Sequence, residues 1–184
     1  MNGELKDKDM LWMKMGVAAI LVALAAALRV LAHPWNFTPI GAMALFSGAM
    51  FRQRWVKFLF PLVALFAGDL FVGFHKLMFV VYLSFVISVA IGIWIGEERK
   101  LVRIASGTFL GALQFFLVTN FAIWATLTTY PKSAAGLLSC YAAGVPFFWN
   151  TLAGDVLYTA LLFGGYTLAE RLFTRDRAIA ASRS

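Results

Sequence analysis

The chain is a near-continuous series of apolar runs, and its charged residues gather at the joints between them. Divided into six runs, the joints alternate in character. Lys6, Lys8 and Lys14 precede the first run, and Arg52, Arg54 and Lys57 separate the second from the third. Arg99, Lys100 and Arg103 separate the fourth from the fifth, and Arg171, Arg175, Arg177 and Arg183 follow the sixth. The other joints hold only Arg29, Lys76 and Lys132, so thirteen of the sixteen basic residues fall on one side of a six-span arrangement. Short loops rich in Lys and Arg stay on the cytoplasmic side of a membrane. The pattern predicts an all-α, polytopic protein of the bacterial inner membrane, with six transmembrane helices and both termini cytoplasmic.

Composition agrees. The 184 residues are 61% hydrophobic and 14% charged, with a mean hydropathy of +0.80. A soluble domain of this size has no core large enough to hide that much apolar surface, whereas lipid solvates it. The net charge of +7 is explained by orientation in the membrane, which removes the main reason to expect a nucleic-acid partner. Cys140 is the only cysteine, which excludes an intrachain disulfide; it reads as a small buried residue rather than a reactive thiol or metal ligand.

The expected spans are Leu11–Ala32, Pro39–Met50, Phe58–Phe74, Met78–Gly96, Ile104–Leu127 and Phe147–Phe173, in a single integral-membrane domain over 1–184. Residues 1–10 and 174–184 form cytoplasmic tails. A helix rises about 1.5 Å per residue, so crossing about 30 Å of hydrocarbon takes close to twenty residues. The second span is short, and is tilted, partly re-entrant or shielded by its neighbours. The first run has lysines before it and Val30-Leu31-Ala32 after it, as a signal peptide would, but it is long for a signal core and fits the charge alternation as an uncleaved span. Tyr130–Val145, bounded by Pro131 and Pro146, reads as an outer loop with a short helix at the surface or folded back into the protein.

Small residues mark where helices can meet closely. Ala19, Ala23 and Ala27 recur every four residues along the first span, and Gly92–Gly96 and Gly107–Gly111 are two further pairs of that spacing. The glycines suit packing inside the bundle; the alanine ridge is the better candidate for an interface with a partner. Ala67-Gly68-Asp69 and Ala153-Gly154-Asp155 are 86 residues apart, but an inverted repeat would put the two Asp residues near opposite faces. The charge pattern puts both near the outer one, so the match reads as coincidence.

The polar residues are distributed asymmetrically. Asp69 lies near the outer end of the third span, Asp155 in the first turns of the sixth, and Asn120 and Trp124 near the outer end of the fifth. Asn36 and Thr38 open the second span, Asn150 and Thr151 open the sixth, and His33, Trp35, His75, Tyr130 and Trp149 occupy the outer joints. The inner halves offer little beyond Ser88, Gln114 and Thr108. An Asp within a membrane helix costs about 2.5–3.5 kcal/mol on insertion scales, so each needs a partner or a role. A structural role, pairing with Arg29 or capping a broken helix, would account for either Asp alone. The convergence of several spans on one level points to a pocket open to the outer face, lined by Asp69, Asp155, Asn120, Asn36, Thr38, Trp35, Trp124, Trp149, Asn150 and His75. Buried carboxylates there favour a ligand that carries donors or positive charge. His33 and His75 have no neighbours at metal-ligand spacing, so no metal and no cofactor is expected. GxxxxGK, HExxH and GxSxG motifs are absent from the sequence, and nothing in it supports an enzyme.

Pro34-Trp35-Asn36-Phe37-Thr38-Pro39-Ile40-Gly41-Ala42-Met43-Ala44-Leu45-Phe46, with Ala67 to His75, Thr119-Asn120-Phe121 and Tyr130-Pro131-Lys132, resembles an uncharacterised family of small bacterial membrane proteins. Those proteins are similar in turn to the substrate-binding S components of energy-coupling-factor (ECF) transporters. The resemblance spans nearly the whole chain. It implies an S-component-like bundle of six helices with both termini inside and a vitamin or metal-ion pocket near the outer face. It further implies that the ridge of Ala19, Ala23 and Ala27 docks a transmembrane coupling subunit that joins two cytoplasmic ATPases. No vitamin-specific motif is present, so no ligand contact carries over. The function expected is uptake of a small molecule, a vitamin or a precursor. The competing reading is a structural or accessory subunit of a larger membrane complex, holding lipid, pigment or partner helices.

Overall fold

In the computed structural model of the chain, the described residues are 36–74 and 76–182, with Trp12, Met15, Gly16, Val17, Ile20, Ala23 and Ala27 of the leading segment. The side chains of Val72 and of residues 173–182 are not among them. Every element with defined bounds is helical: α1 Ile40–Met50, α2 Arg54–Val72, α3 Met78–Ile95, α4 Leu101–Thr126 and α5 Ala134–Ser182. The described positions of the leading segment are helical as well, and Val17 packs against the core. Among the described residues, three helices, Met78–Ile95, Leu101–Thr126 and the Ala134–Leu172 part of α5, are long and apolar enough to cross a membrane.

The surface is apolar where a soluble protein would be polar. Phe79 and Leu101 are each about four-fifths exposed, and Phe71, Val102 and Leu138 at least 70%. Patches of that kind require an apolar solvent. The core is instead built around the shortest helix. Nine of the eleven residues of α1 are buried, including Met43, Leu45 and Phe46, so its backbone is enclosed by the longer helices.

Enclosure on that scale depends on glycine. A Cβ on Gly48 would lie 2.2 Å from the carbonyl oxygen of Val89, and one on Gly92 2.2 Å from that of Leu45. α1 and α3 therefore cross backbone to backbone, with dispersion contacts and close approach replacing the hydrophobic effect that is absent in lipid. Gly107 makes room for a side chain instead, a Cβ there lying 2.7 Å from Ile95 Cδ1. Gly96 has a φ of +71° and ends α3 as its C-cap, which suits the residue that lacks a Cβ.

Both ends of α1 are closed by charges from other helices. The Lys57 ammonium donates to the carbonyl oxygen of Gly48 at 2.8 Å, and the Asp155 carboxylate accepts from the backbone N–H of Ala42. A cation at the C-terminus and an anion at the N-terminus are the favourable arrangement for a helix dipole.

The outer loop expected over Tyr130–Val145 is replaced by helix. α5 begins at Ala134 and continues without interruption through Pro146. Ser133 caps it, its Oγ accepting from the N–H of Gly136 at 3.2 Å. Its first turns run antiparallel along the end of α4: Tyr141 donates to the Leu117 carbonyl at 2.9 Å and Cys140 to the Asn120 carbonyl at 3.3 Å. Pro146 removes one helical hydrogen bond, but the neighbouring helix holds the segment straight enough to continue. The start of the sixth expected span thus moves from Phe147 to Ala134, and the third from Phe58 to Arg54.

Candidate functional site

The new start of α5 changes the depth of Asp155. Counting from Ala134 places it about 32 Å along the helix, not in the first turns. There it meets the beginning of α1. A Cβ on Gly41 would lie 2.3 Å from Asp155 Oδ1, so glycine is what allows the carboxylate to reach the end of the short helix. The preceding backbone is equally close: a Cβ on Gly154 would touch Phe37 Cα and Thr38 N at 3.3 Å. The Phe37 and Tyr158 rings meet edge-on, with centroids 5.8 Å apart. Asn36 turns the chain into this segment with a φ of +61°, a left-handed conformation that Asn tolerates better than most residues.

Beside this junction lies a cavity of about 280 Å³. Asn36 and Thr38 lead into it, Ile40 and Gly41 form the α1 edge, and Thr151 and Asp155 project from one face of α5. Leu65, Val81, Phe85, Ser88, Gly111 and Phe115 complete the wall. Gly111 is about 15 Å from the start of α4, and Ser88 about 15 Å from the start of α3. The floor therefore sits near half the height of the bundle, while Val81, one turn into α3, and the exposed Asn36 mark the side facing the α2–α3 turn.

The carboxylate is 3% exposed. Its hydrogen-bond partner is the Ala42 amide, and no described cation pairs with it; the ion pairs among described residues are Arg99–Glu170 at 2.8 Å and Lys100–Glu98 at 2.9 Å. Two hydroxyls of the cavity, those of Thr151 and Ser88, direct their protons away from it. Thr151 donates to the Phe147 carbonyl at 2.9 Å, and Ser88 to the Ser84 carbonyl at 3.2 Å while accepting from Gln114.

Of the residues expected to form one outer pocket, Asp155, Asn36 and Thr38 line this cavity, and Asp69, Asn120, Trp124, Trp149 and Asn150 do not. Asp69 is buried at the α2–α3 junction, where the Tyr82 hydroxyl donates to its Oδ2 at 2.8 Å. Asn120 belongs to the α4–α5 seam: its Nδ2 donates to the Phe116 carbonyl at 2.9 Å, and its side chain rests on Gly144. Trp124 donates to the Pro131 carbonyl, and Lys132 donates to the carbonyls of Trp124 and Leu127, so both hold the α4–α5 turn. Trp149 is 60% exposed and leans on Phe148. Asn150 is half-buried one position before Thr151. Trp35, His75, His33 and Ala19 lie outside the described residues. Ala23 and Ala27 are helical and exposed.

Ser88 and Thr151 were visible in the sequence as polar residues within apolar runs. Gly111 was legible only as half of a close-packing pair, and Gly41 carried no signal, because a glycine's role depends on what approaches it.

Two other cavities are less specific. One of about 750 Å³ opens sideways between α4 and α5, walled by apolar residues such as Phe109, Leu152 and Phe163, where lipid would lie. Another of about 500 Å³ sits among Met15, Arg52, Glu97, Arg99, Tyr166 and Glu170. It gathers basic joints at one end of the bundle, and Arg99 and Glu170 in it are paired.

The chain belongs to DUF6580, a family of unknown function, which it matches over residues 10–178. No curated protein and no solved structure matches it.

Proposed function

We propose that this chain is a substrate-binding membrane subunit for uptake of a small molecule, a vitamin or a precursor. Its ligand occupies the cavity beside Asp155. In this reading the bundle has six spans, Leu11–Ala32 being the first and α1 the short second. Both termini are cytoplasmic and the cavity opens to the outer face of the inner membrane. The observation that carries the proposal is the broken entry to α1: non-helical backbone and a half-length helix directed at a buried carboxylate, beside a cavity at mid-height. Irregular backbone at that depth survives only inside protein or against a polar cavity, and half-helix ends near the midplane are how many transporters hold substrates. The orientation is supported by Met15, Arg52, Arg99 and Glu170 sharing one end.

An S-component-like role, energised by a separate coupling subunit and ATPases, is supported by the sequence resemblance and by the exposure of Ala23 and Ala27, which leaves that face open to a partner helix. An accessory subunit would use the same ridge and would hold lipid or pigment in the cavity.

In a Cys140→Ala background, Thr38→Cys should react with a membrane-impermeant thiol reagent added to intact cells. Lys100→Cys should react only in inside-out vesicles. Labelling of Thr38→Cys from the inner side alone would overturn the orientation, and no labelling from either side would contradict an open cavity.

A further inference from the structure

The chemistry of the cavity narrows the ligand class, an inference that rests on the Asp155 cavity being the binding site. A carboxylate 3% exposed at this depth needs compensation worth several kcal/mol. One backbone N–H from Ala42 and the roughly half charge of a helix N-terminus compensate only part of it. No described cation supplies the rest. The hydroxyls beside it act the same way: with their protons committed to the Phe147 and Ser84 carbonyls, Thr151 and Ser88 offer the cavity lone pairs, not donors. Around the carboxyl the floor therefore offers acceptors, while the Asn36 amide and the Thr38 hydroxyl stand at the entry. Above it stand Phe85 and Phe115, with ring centroids 5.4 Å apart, and Leu65, which suit a compact apolar body, and aromatic faces also attract cations. The volume of about 280 Å³ lies at the lower limit of small-molecule sites, which run about 300–1,000 Å³.

We propose that the cavity takes a small organic monocation: a protonated amine whose ammonium sits between Asp155, Thr151 and Ser88, with a short aromatic or aliphatic body against Phe85 and Phe115. An ammonium presents three donors to the acceptors of Asp155, Thr151 and Ser88 and neutralises the carboxylate. An anion would meet repulsion there, and a neutral alcohol would leave the charge uncompensated.

Three probes of one shape separate these cases: phenethylammonium, 2-phenylethanol and 3-phenylpropionate, titrated calorimetrically into the purified full-length protein in nanodiscs. Phenethylammonium should bind saturably and at least tenfold more tightly than the alcohol, and phenylpropionate not at all. Asp155→Asn keeps an acceptor for the Ala42 N–H, so it should fold, yet lose at least tenfold in affinity for the amine. Thr151→Phe, which fills the cavity, should abolish binding of every probe. Equal binding of amine and alcohol, tighter binding of the acid, or no effect of Asp155→Asn would overturn the cationic ligand. The cavity itself would stand if Thr151→Phe still removed whatever bound. Absence of phenethylammonium binding, or binding that survives Thr151→Phe, also overturns the proposal; in the second case the cavity fails as the site too.

Discussion

Gly92→Leu should strongly destabilise the folded bundle. A Cβ at this position lies 2.2 Å from the Leu45 carbonyl oxygen, and the obstacle is backbone in the middle of a helix buried on all sides. Overpacking a core commonly costs 1–3 kcal/mol when side chains can move aside. Here relief requires moving α1 away from α3, which also pulls Gly48 off Val89 and disturbs both charged caps. The expected destabilisation is about 3 kcal/mol or more, a fall of about 10 °C in Tm for a chain of this size. Fluorescence-detected size exclusion after heating detergent-extracted protein should show it, or show no monodisperse peak at all. Gly164→Leu is the control, because nothing lies within 4 Å of a Cβ there; it should leave Tm within about 2 °C. Similar losses for both would mean that α1 and α3 do not cross through their glycines.

Asp155→Ala should be the most damaging single change at the cavity, and Asp155→Asn markedly milder. Removing the carboxylate leaves the Ala42 N–H and the start of α1 without an acceptor, in a place where little water can substitute. An unsatisfied buried donor costs about 1–3 kcal/mol, to which loss of the helix-end charge adds about 0.3–1 kcal/mol. Asparagine retains a carbonyl oxygen for the amide and gives up only the charge. The same thermal assay should rank wild type above Asp155→Asn and Asp155→Asn well above Asp155→Ala. Equal losses in the two variants would assign the stabilisation to charge alone, and no loss in either would remove the carboxylate from the role of cap.

Where a helix is bounded by its own apolar run, the sequence reads well. α1, α3 and α4 lie within three residues of the expected Pro39–Met50, Met78–Gly96 and Ile104–Leu127. α2 starts four residues before Phe58, because hydropathy cannot see that Arg54 to Lys57 remain helical while Lys57 reaches the end of α1. α5 was obscured by Pro146, taken as a boundary, although Ser133 ahead of a small apolar run is a capping signal. Starting the helix thirteen residues late is what placed Asp155 near the surface. The expected outer cluster then merged residues by level without regard to facing. Asp69 turns toward Tyr82 on α3, and Asn120 toward α5, while Asp155, with Asn36 and Thr38, lines the cavity. Their partners lie on other helices, and linear spacing carries no information about that.

The central claim is that a small molecule resides beside Asp155. Native mass spectrometry of protein gently extracted from its own membrane, wild type against Thr151→Phe, tests it most directly. The account predicts one small adduct per wild-type chain and none on the cavity-filled variant, with both equally folded. A wild-type chain free of adduct, or the same adduct on Thr151→Phe, would contradict it.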